Sequence, residues 1–188
     1  VRFTSGQDRM DVPDHDALDL STFTLAAWIK AEDGGGTVDY PTLFTHAQSA
    51  NARNWWVALN KDGGVFWKDS AAGQVTYFQE ILPGAPTLKS GNWVHVACVR
   101  DGAGQLARLF IDGKKTGEKT GIPVDSTLVA DVVRFGNNEN LGRPFKGLMD
   151  EIQIFNVALP DEELAGLPSG TFEPDTSSAQ ELEYVYHA

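Results

Sequence analysis

Cysteine is almost missing from this chain: Cys98 is the only one, so no intramolecular disulfide can form. The redox compartment is therefore not readable from thiol pairing. A lone thiol inside a strand-like run reads as a small core hydrophobe. Basic charge is short as well, with 15 Lys and Arg against 26 Asp and Glu and a formal net charge of −11. That balance repels phosphate backbones and anionic bilayers, and no local basic patch opposes it, which argues against nucleic acid as a partner. Long apolar runs are missing too. Nothing approaches the roughly 18 apolar residues of a membrane span, so membrane insertion is not expected. The chain opens on strand-like VRF, without the charged and apolar regions of a leader peptide.

What is present is period-two alternation. The stretch Gly91–Lys114 holds two strand-type runs, Val94–Arg100 and Ala107–Asp112, joined by the hairpin-loop composition Asp101-Gly102-Ala103-Gly104. Alternation sets Trp93, His95, Ala97 and Val99 on one face and Val94, Val96 and Cys98 on the other; Leu109 and Ile111 oppose Phe110. Both faces are largely apolar, so this hairpin belongs in the interior of a layered β structure, covered on both sides. Phe23–Lys30 alternates in the same way, with Phe23, Leu25, Ala27 and Ile29 on one face and Trp28 on the other.

Asn54–Asp69 reads as a second hairpin with Asp62-Gly63 at its turn, a dipeptide that tolerates the positive φ values of tight hairpins. A turn centred there sets Leu59 opposite Phe66 and Ala58 opposite Trp67. Trp55, Val57, Leu59 and Phe66 then share one face, and Trp56 and Trp67 are diagonal neighbours on the other. Those two tryptophans are either a second core layer or an exposed platform for a sugar ring. A three-residue turn would shift the register and remove the pairing. Further strands are expected at Leu43–His46, Val75–Ile81 and Val132–Gly136. A last strand lies within Phe145–Leu159, with Leu148, Ile152 and Ile154 on one face and Met149, Gln153 and Phe155 on the other.

Pro160-Asp161-Glu162-Glu163-Leu164 has the first-turn composition of a short helix. The expected fold class is all-β: a two-sheet antiparallel sandwich with one short helix after the last strand. Residues 1–167 form the expected domain. Residues 168–188 read as a linker-like tail whose ELEYVYHA end pairs with its own sheet, with another subunit, or with nothing. The strand-like start and the linker-like end suit a module of a longer chain.

The blocks VRFTSGQDRMDVPD, FTLAAWIK, GNWVHVACVRDG, LFIDGK and FKGLMDEIQIFNVALPDEEL occur in this order over about residues 1–167. Together they resemble the laminin-G-like (LamG-like) jelly roll of the concanavalin A-like lectin/glucanase superfamily. The resemblance implies a jelly-roll sandwich and treats Trp93 and His95 as framework. It is compatible with lectins, adhesive modules, glycan-binding modules and some glycosidases and lyases. Retaining glycosidases on this scaffold resemble an E-x-D-x-E strand that projects two carboxylates from one face. Here Asp150 and Glu151 point to opposite faces, and Glu173-Pro174-Asp175 lies in the linker, so catalysis is not expected.

The expected function is a non-catalytic carbohydrate-binding or adhesion module of an extracellular or cell-surface protein, its partner a neutral glycan or glycoprotein, since the acidic chain disfavours sulfated and uronate sugars. The candidate contacts are Trp56, Trp67 and Tyr77 with Asn54, Asn137, Asn138 and Asn140, pairing ring stacking with amide hydrogen bonds. A structural Ca²⁺ is a further expectation, with Asp8, Asp33 and Asp150 as ligands, because the resemblance makes the first and last strands neighbours and this cation takes 6–8 oxygens. The competing reading of Asp150 is an acceptor for backbone amides at a strand junction. The alternative function is a structural subunit that self-associates through sheet edges or the C-terminal tail.

Overall fold

The computed structural model describes residues 1–4, 6–49, 52–60, 62–69, 75–78, 87–125, 132–170 and 185–187. Among them the strands are β1 (Arg2–Phe3), β2 (Arg9–Val12), β3 (Phe23–Ala31), β4 (Thr42–Ser49), β5 (Ala52–Leu59), β6 (Val65–Asp69), β7 (Val75–Phe78), β8 (Val94–Asp101), β9 (Leu106–Ile111), β10 (Lys114–Thr120), β11 (Val133–Phe135), β12 (Gly147–Phe155) and β13 (Val185–His187). They form a six-stranded sheet, β1-β12-β3-β8-β9-β10, and a seven-stranded sheet, β13-β2-β11-β4-β5-β6-β7, with antiparallel pairing in both. One short α-helix, α1 (Asp161–Gly166), follows β12. No helix among the described residues is long and apolar enough to cross a membrane.

The β8–β9 hairpin is interior to its sheet, and both its faces are buried as the alternation requires. Val94, Val96, Cys98, Leu109 and Ile111 join the core between the sheets, where they meet Phe23, Leu25, Ala27 and Ile29 of β3. Ala97, Val99 and Phe110 face the other way and pack with Ala26 under Leu159, Leu164 and Leu167. The second cover is thus the α1 segment. Arg108 clamps it down, donating to the Asp161 carboxylate and, at 2.9 Å, to the Leu159 carbonyl. The turn after β9 has no room for a side chain: a Cβ on Gly113, at φ +73°, would lie 2.8 Å from the Ala165 carbonyl oxygen. Burial raises the Cys98 thiol far above its ordinary range, so it stays protonated and inert.

The β5–β6 register differs from the expected one by one residue. Leu59 pairs with Val65, Ala58 with Phe66 and Val57 with Trp67. The cause is the turn. Asn60 N–H donates to the Gly64 carbonyl at 2.9 Å, while its Oδ1 accepts from Asp62 and Gly64 amides at 2.8 and 3.1 Å. Three residues therefore separate the closing Asn60–Gly64 pair, where the Asp62-Gly63 centre would have left two between its own closing pair, and a one-residue slip exchanges the faces of a strand. Trp67, fully buried, turns into the core beside Phe23, and Phe66 turns out.

The last strand departs from simple alternation as well. Its pairing with β3 shifts between Asp150 and Gln153, and Glu151 takes a φ of +47°. This bulge puts Met149 in the inter-sheet core with Ile152 and Ile154 packed against it, so the three share a face that simple alternation divides. The first strand, β1, and the last strand of the domain, β12, are neighbours as expected, Arg2 pairing with Leu148. The terminal strand joins its own sheet, Tyr186 of β13 opposite Met10 of β2.

Trp67→Ala should cost about 3–5 kcal/mol of unfolding free energy by cavity formation. Trp93→Ala, removing a ring that is 41% exposed, should stay within about 0.5 kcal/mol. Urea denaturation of the two variants checks the pair.

Candidate functional site

The outer face of the seven-stranded sheet carries a row of residues set side by side by the pairing register: Asp11, Arg134, Thr45, Trp56 and Lys68, contributed by β2, β11, β4, β5 and β6. One step along, Ala58 and Phe66 are opposite each other on that face. Trp56, Ala58 and Phe66 form a cluster separate from the main core, with Tyr40 packed on it. The rings meet edge to face or tilted, with centroids 4.9 Å apart for Trp56–Phe66, 6.2 Å for Trp56–Tyr40 and 4.8 Å for Tyr40–Phe66. Trp56 Nε1 donates to Thr42 Oγ1 at 2.9 Å. Arg143 closes the arrangement, its Cζ 5.3 Å from the Trp56 ring centre and 5.7 Å from that of Tyr40.

Arg143 is held there by residues that the sequence suggested as sugar contacts. Its backbone N–H is shared between Asn137 Oδ1 at 3.2 Å and Asn138 Oδ1 at 3.0 Å. Asn137 also donates to the Gly6 carbonyl, and Asn138 Oδ1 also accepts from the Gly142 amide at 2.9 Å. Both asparagines are buried. Their amides shape the loop and position Arg143, which leaves them out of the surface a ligand would touch. Arg134 braces the same loop from below. It chelates Asp11 through Nε at 2.6 Å and Nη2 at 3.0 Å, and donates from Nη1 to the Asn138 and Glu139 carbonyls. Arg9 adds a second cation on Asp11, 3.2 Å from Oδ2.

The remaining expected contacts separate. Trp67 is core, because of the register of β5 and β6, and it cannot stack on a ligand. Trp56 does lie on the outer face, but at 5% exposure its ring is covered by Tyr40, Phe66 and Arg143, so the open two-tryptophan platform is not formed. Asn54 is buried with its Nδ2 3.1 Å from His46 Nδ1. Asn140 is exposed at the loop tip, its Oδ1 accepting from Gly142. Tyr77 belongs to β7, and its side chain lies outside the described residues.

The carboxylates proposed for Ca²⁺ do not fit a shared cation. Asp8 is buried and accepts from Thr4 N–H at 2.5 Å and Thr4 Oγ1 at 3.0 Å. Asp33 is paired with Lys146, whose hydrogen bond and charge hold its carboxyl below the usual range. Asp150 accepts from the Glu151 amide at 3.0 Å within the bulge, the strand-junction role. Among the described residues no three His, Cys, Asp or Glu side chains come together as a metal group.

On the opposite sheet, His95 is 2% exposed and packs edge-on against Trp28 with centroids 5.4 Å apart. Its Nδ1 is buried without a partner. Burial lowers its pKa to about 4, against the opposing pull of Asp112. It is a neutral framework residue, the role that the resemblance implied.

Arg143 and Tyr40 are the surface members of the cluster, and sequence reading missed both. Their neighbours are far away along the chain, and the loop of Arg143 reads only as polar. One structural signal marks Tyr40: it holds a φ of +58°, a backbone strain that an aromatic residue keeps only where surrounding contacts demand it.

A family model described as the concanavalin A-like lectin/glucanases superfamily matches residues 4–165. The "Sushi, von Willebrand factor type A, EGF and pentraxin domain-containing protein 1" of Rattus norvegicus is 22% identical over 158 residues, covering 80% of this chain and 4% of that protein. The chain thus spans a small part of the length of the curated relatives it matches. Domain 4 of AbnA, an extracellular arabinanase of Geobacillus stearothermophilus solved with arabinotriose, superposes with a TM-score of 0.65 at 25% identity, over 88% of this chain and 75% of that one. The CBM40 of the Ruminococcus gnavus IT-sialidase, bound to α2,3-sialyllactose, gives a TM-score of 0.67 at 16% identity over 89% and 95% of the two chains, a likeness of fold.

The His95 environment predicts a pH dependence of stability. The unfolded chain gains a proton on this residue as pH falls through about 6.5, while the folded protein resists until about 4. Stability should therefore be lost between those values, by an amount on the order of 3 kcal/mol. The difference between wild type and His95→Gln in thermal unfolding from pH 7 to pH 4 isolates this part, and a pH-independent difference would overturn it.

Proposed function

Because this chain belongs to the concanavalin A-like lectin/glucanases superfamily, its laminin-G-type match covering residues 4–165, we propose that it is a non-catalytic carbohydrate-binding module of an extracellular protein. The observation that carries the reading is the contrast between the two outer faces. On the six-stranded sheet the α1 segment covers the outer-face patch of Ala26, Ala97, Val99 and Phe110. On the seven-stranded sheet the outer cluster includes no helical residue, and its aromatic members are topped by a cation and bordered by polar side chains. An aromatic floor with a few fixed polar groups suits a sugar, whose faces are apolar and whose edges are hydroxyls.

The arabinotriose complex of the AbnA domain supports an oligosaccharide as the ligand class, and the extracellular description of that arabinanase supports the same compartment here. The non-catalytic part rests on β12. Asp150 and Glu151 occupy a bulge, with Asp150 engaged by the Glu151 amide, and they do not form the facing carboxylate pair that glycoside cleavage needs. Assembly through the tail is disfavoured, because β13 pairs with β2 of its own chain.

Isothermal titration with a panel of soluble oligosaccharides, arabinotriose among them, should give saturable binding for at least one. Tyr40→Ala should weaken it about fivefold by removing the ring edge, with an equilibrium cost of about 1 kcal/mol. No binding across the panel, or binding indifferent to every substitution on the Tyr40, Lys68 and Arg143 face, would sink the proposal.

A further inference from the structure

Every arginine side chain described in this protein has its charge met by the protein, with one exception. Arg2 pairs with Glu32, Arg9 and Arg134 share Asp11, and Arg108 holds Asp161. Buried Arg100 donates to the carbonyls of Ser21, Pro123, Val124 and Asp125. Arg143 has no carboxylate partner among the described residues. Its Nη1 donates to the Asp39 carbonyl, and its Nε and Nη2 are neither bonded to the protein nor buried orphans. In a chain with 26 acids and 15 bases, a surface guanidinium left without a carboxylate stands out, because charge-assisted Arg pairs are among the stronger surface contacts on offer.

The same residue is also held by its surroundings. Asn137 and Asn138 fix its backbone amide, and its Cζ lies over the Trp56 and Tyr40 rings. With Nη1 spent on the Asp39 carbonyl, Nε and Nη2 form the remaining edge of the guanidinium, and such a pair of N–H groups matches the two oxygens of a carboxylate. The aromatic floor also excludes water from one side, which strengthens the attraction for an anion.

We infer that the glycan bound on this face carries a carboxylate, as in a uronate or a sialic acid, and that the free edge of Arg143 receives it. This rests on the carbohydrate-binding reading above. It also reverses the preference for neutral glycans drawn from the net charge of −11, since a contact of this range is decided by the local cation and not by the screened field of the whole surface.

The test titrates the whole chain with two acidic probes and their uncharged counterparts: oligogalacturonate against its methyl ester, and sialyllactose against lactose. Arabinotriose is included as a neutral reference. At least one acidic sugar should bind about tenfold or more tightly than its counterpart, the worth of hydrogen bonds to a charged group, and the two pairs separate the uronate source from the sialic acid source. That preference should shrink as NaCl is raised. Arg143→Gln should abolish it, and Arg143→Lys, which keeps the charge without the planar fork, should retain part of it. Thermal unfolding of both variants controls for the fold, and if Arg143→Gln is unfolded, Arg143→Lys decides by whether the acidic preference falls. Equal affinity for charged and uncharged partners, or an acidic preference untouched by either substitution, overturns the inference and leaves the carbohydrate reading standing. Absence of binding to every probe overturns both.

Discussion

The structure depends on a hairpin that is apolar on both faces. Once Val94, Val96 and Cys98 point one way and Ala97, Val99 and Phe110 the other, a single sheet cannot be stable, because one apolar face would remain in water. The seven-stranded sheet covers the first face. The second requires a separate cover, and the chain supplies it after its last long strand, where α1 lies across β8 and β9 and is secured by the ion pair of Arg108 with Asp161. The consequence reaches function. With the helix packed on the six-stranded sheet, the outer cluster of the other sheet, among the described residues, is left to Tyr40, Trp56, Phe66 and Arg143, and the proposed ligand site lies there.

That surface is built by division of labour among polar groups. Asp11 balances Arg134 and Arg9, and Arg134 in turn grips the loop carbonyls of Asn138 and Glu139. Asn137 and Asn138 then use their side-chain oxygens on the Arg143 amide. Each of these groups is satisfied within the protein, which makes them supports. Arg143, with part of its donor set unspent, is the member that faces outward. A buried and fully bonded amide is a poor ligand contact however suggestive its residue type, since withdrawing its hydrogen bonds would leave loop amides unsatisfied.

How much of this could be read beforehand varies by scale. The strands, their inner and outer faces in β3 and β8, the short helix and the two-layer architecture follow from alternation and composition, because burial of a pleated strand imposes a period of two on the residues themselves. Two departures did not. Asn60 closes a longer turn than Asp62-Gly63 suggests, and this sends Trp67 into the core. The bulge at Asp150 and Glu151 brings Met149 onto the face of Ile152 and Ile154. In each case a single unpaired residue changes the phase of everything after it, and no local periodicity encodes that residue.

The amino-acid sequence by itself determined the superfamily, the sandwich, the framework role of Cys98 and His95 and the partition of most apolar side chains. Those properties are repeated many times along the chain, so individual exceptions do not erase them. Only the tertiary structure decided the candidate site. Tyr40, Trp56, Phe66 and Arg143 come from separate segments and meet through strand register and loop hydrogen bonds. Whether an arginine is paired, buried or left open to a ligand is a property of that meeting, and a sequence in which seven arginines look alike carries no sign of it.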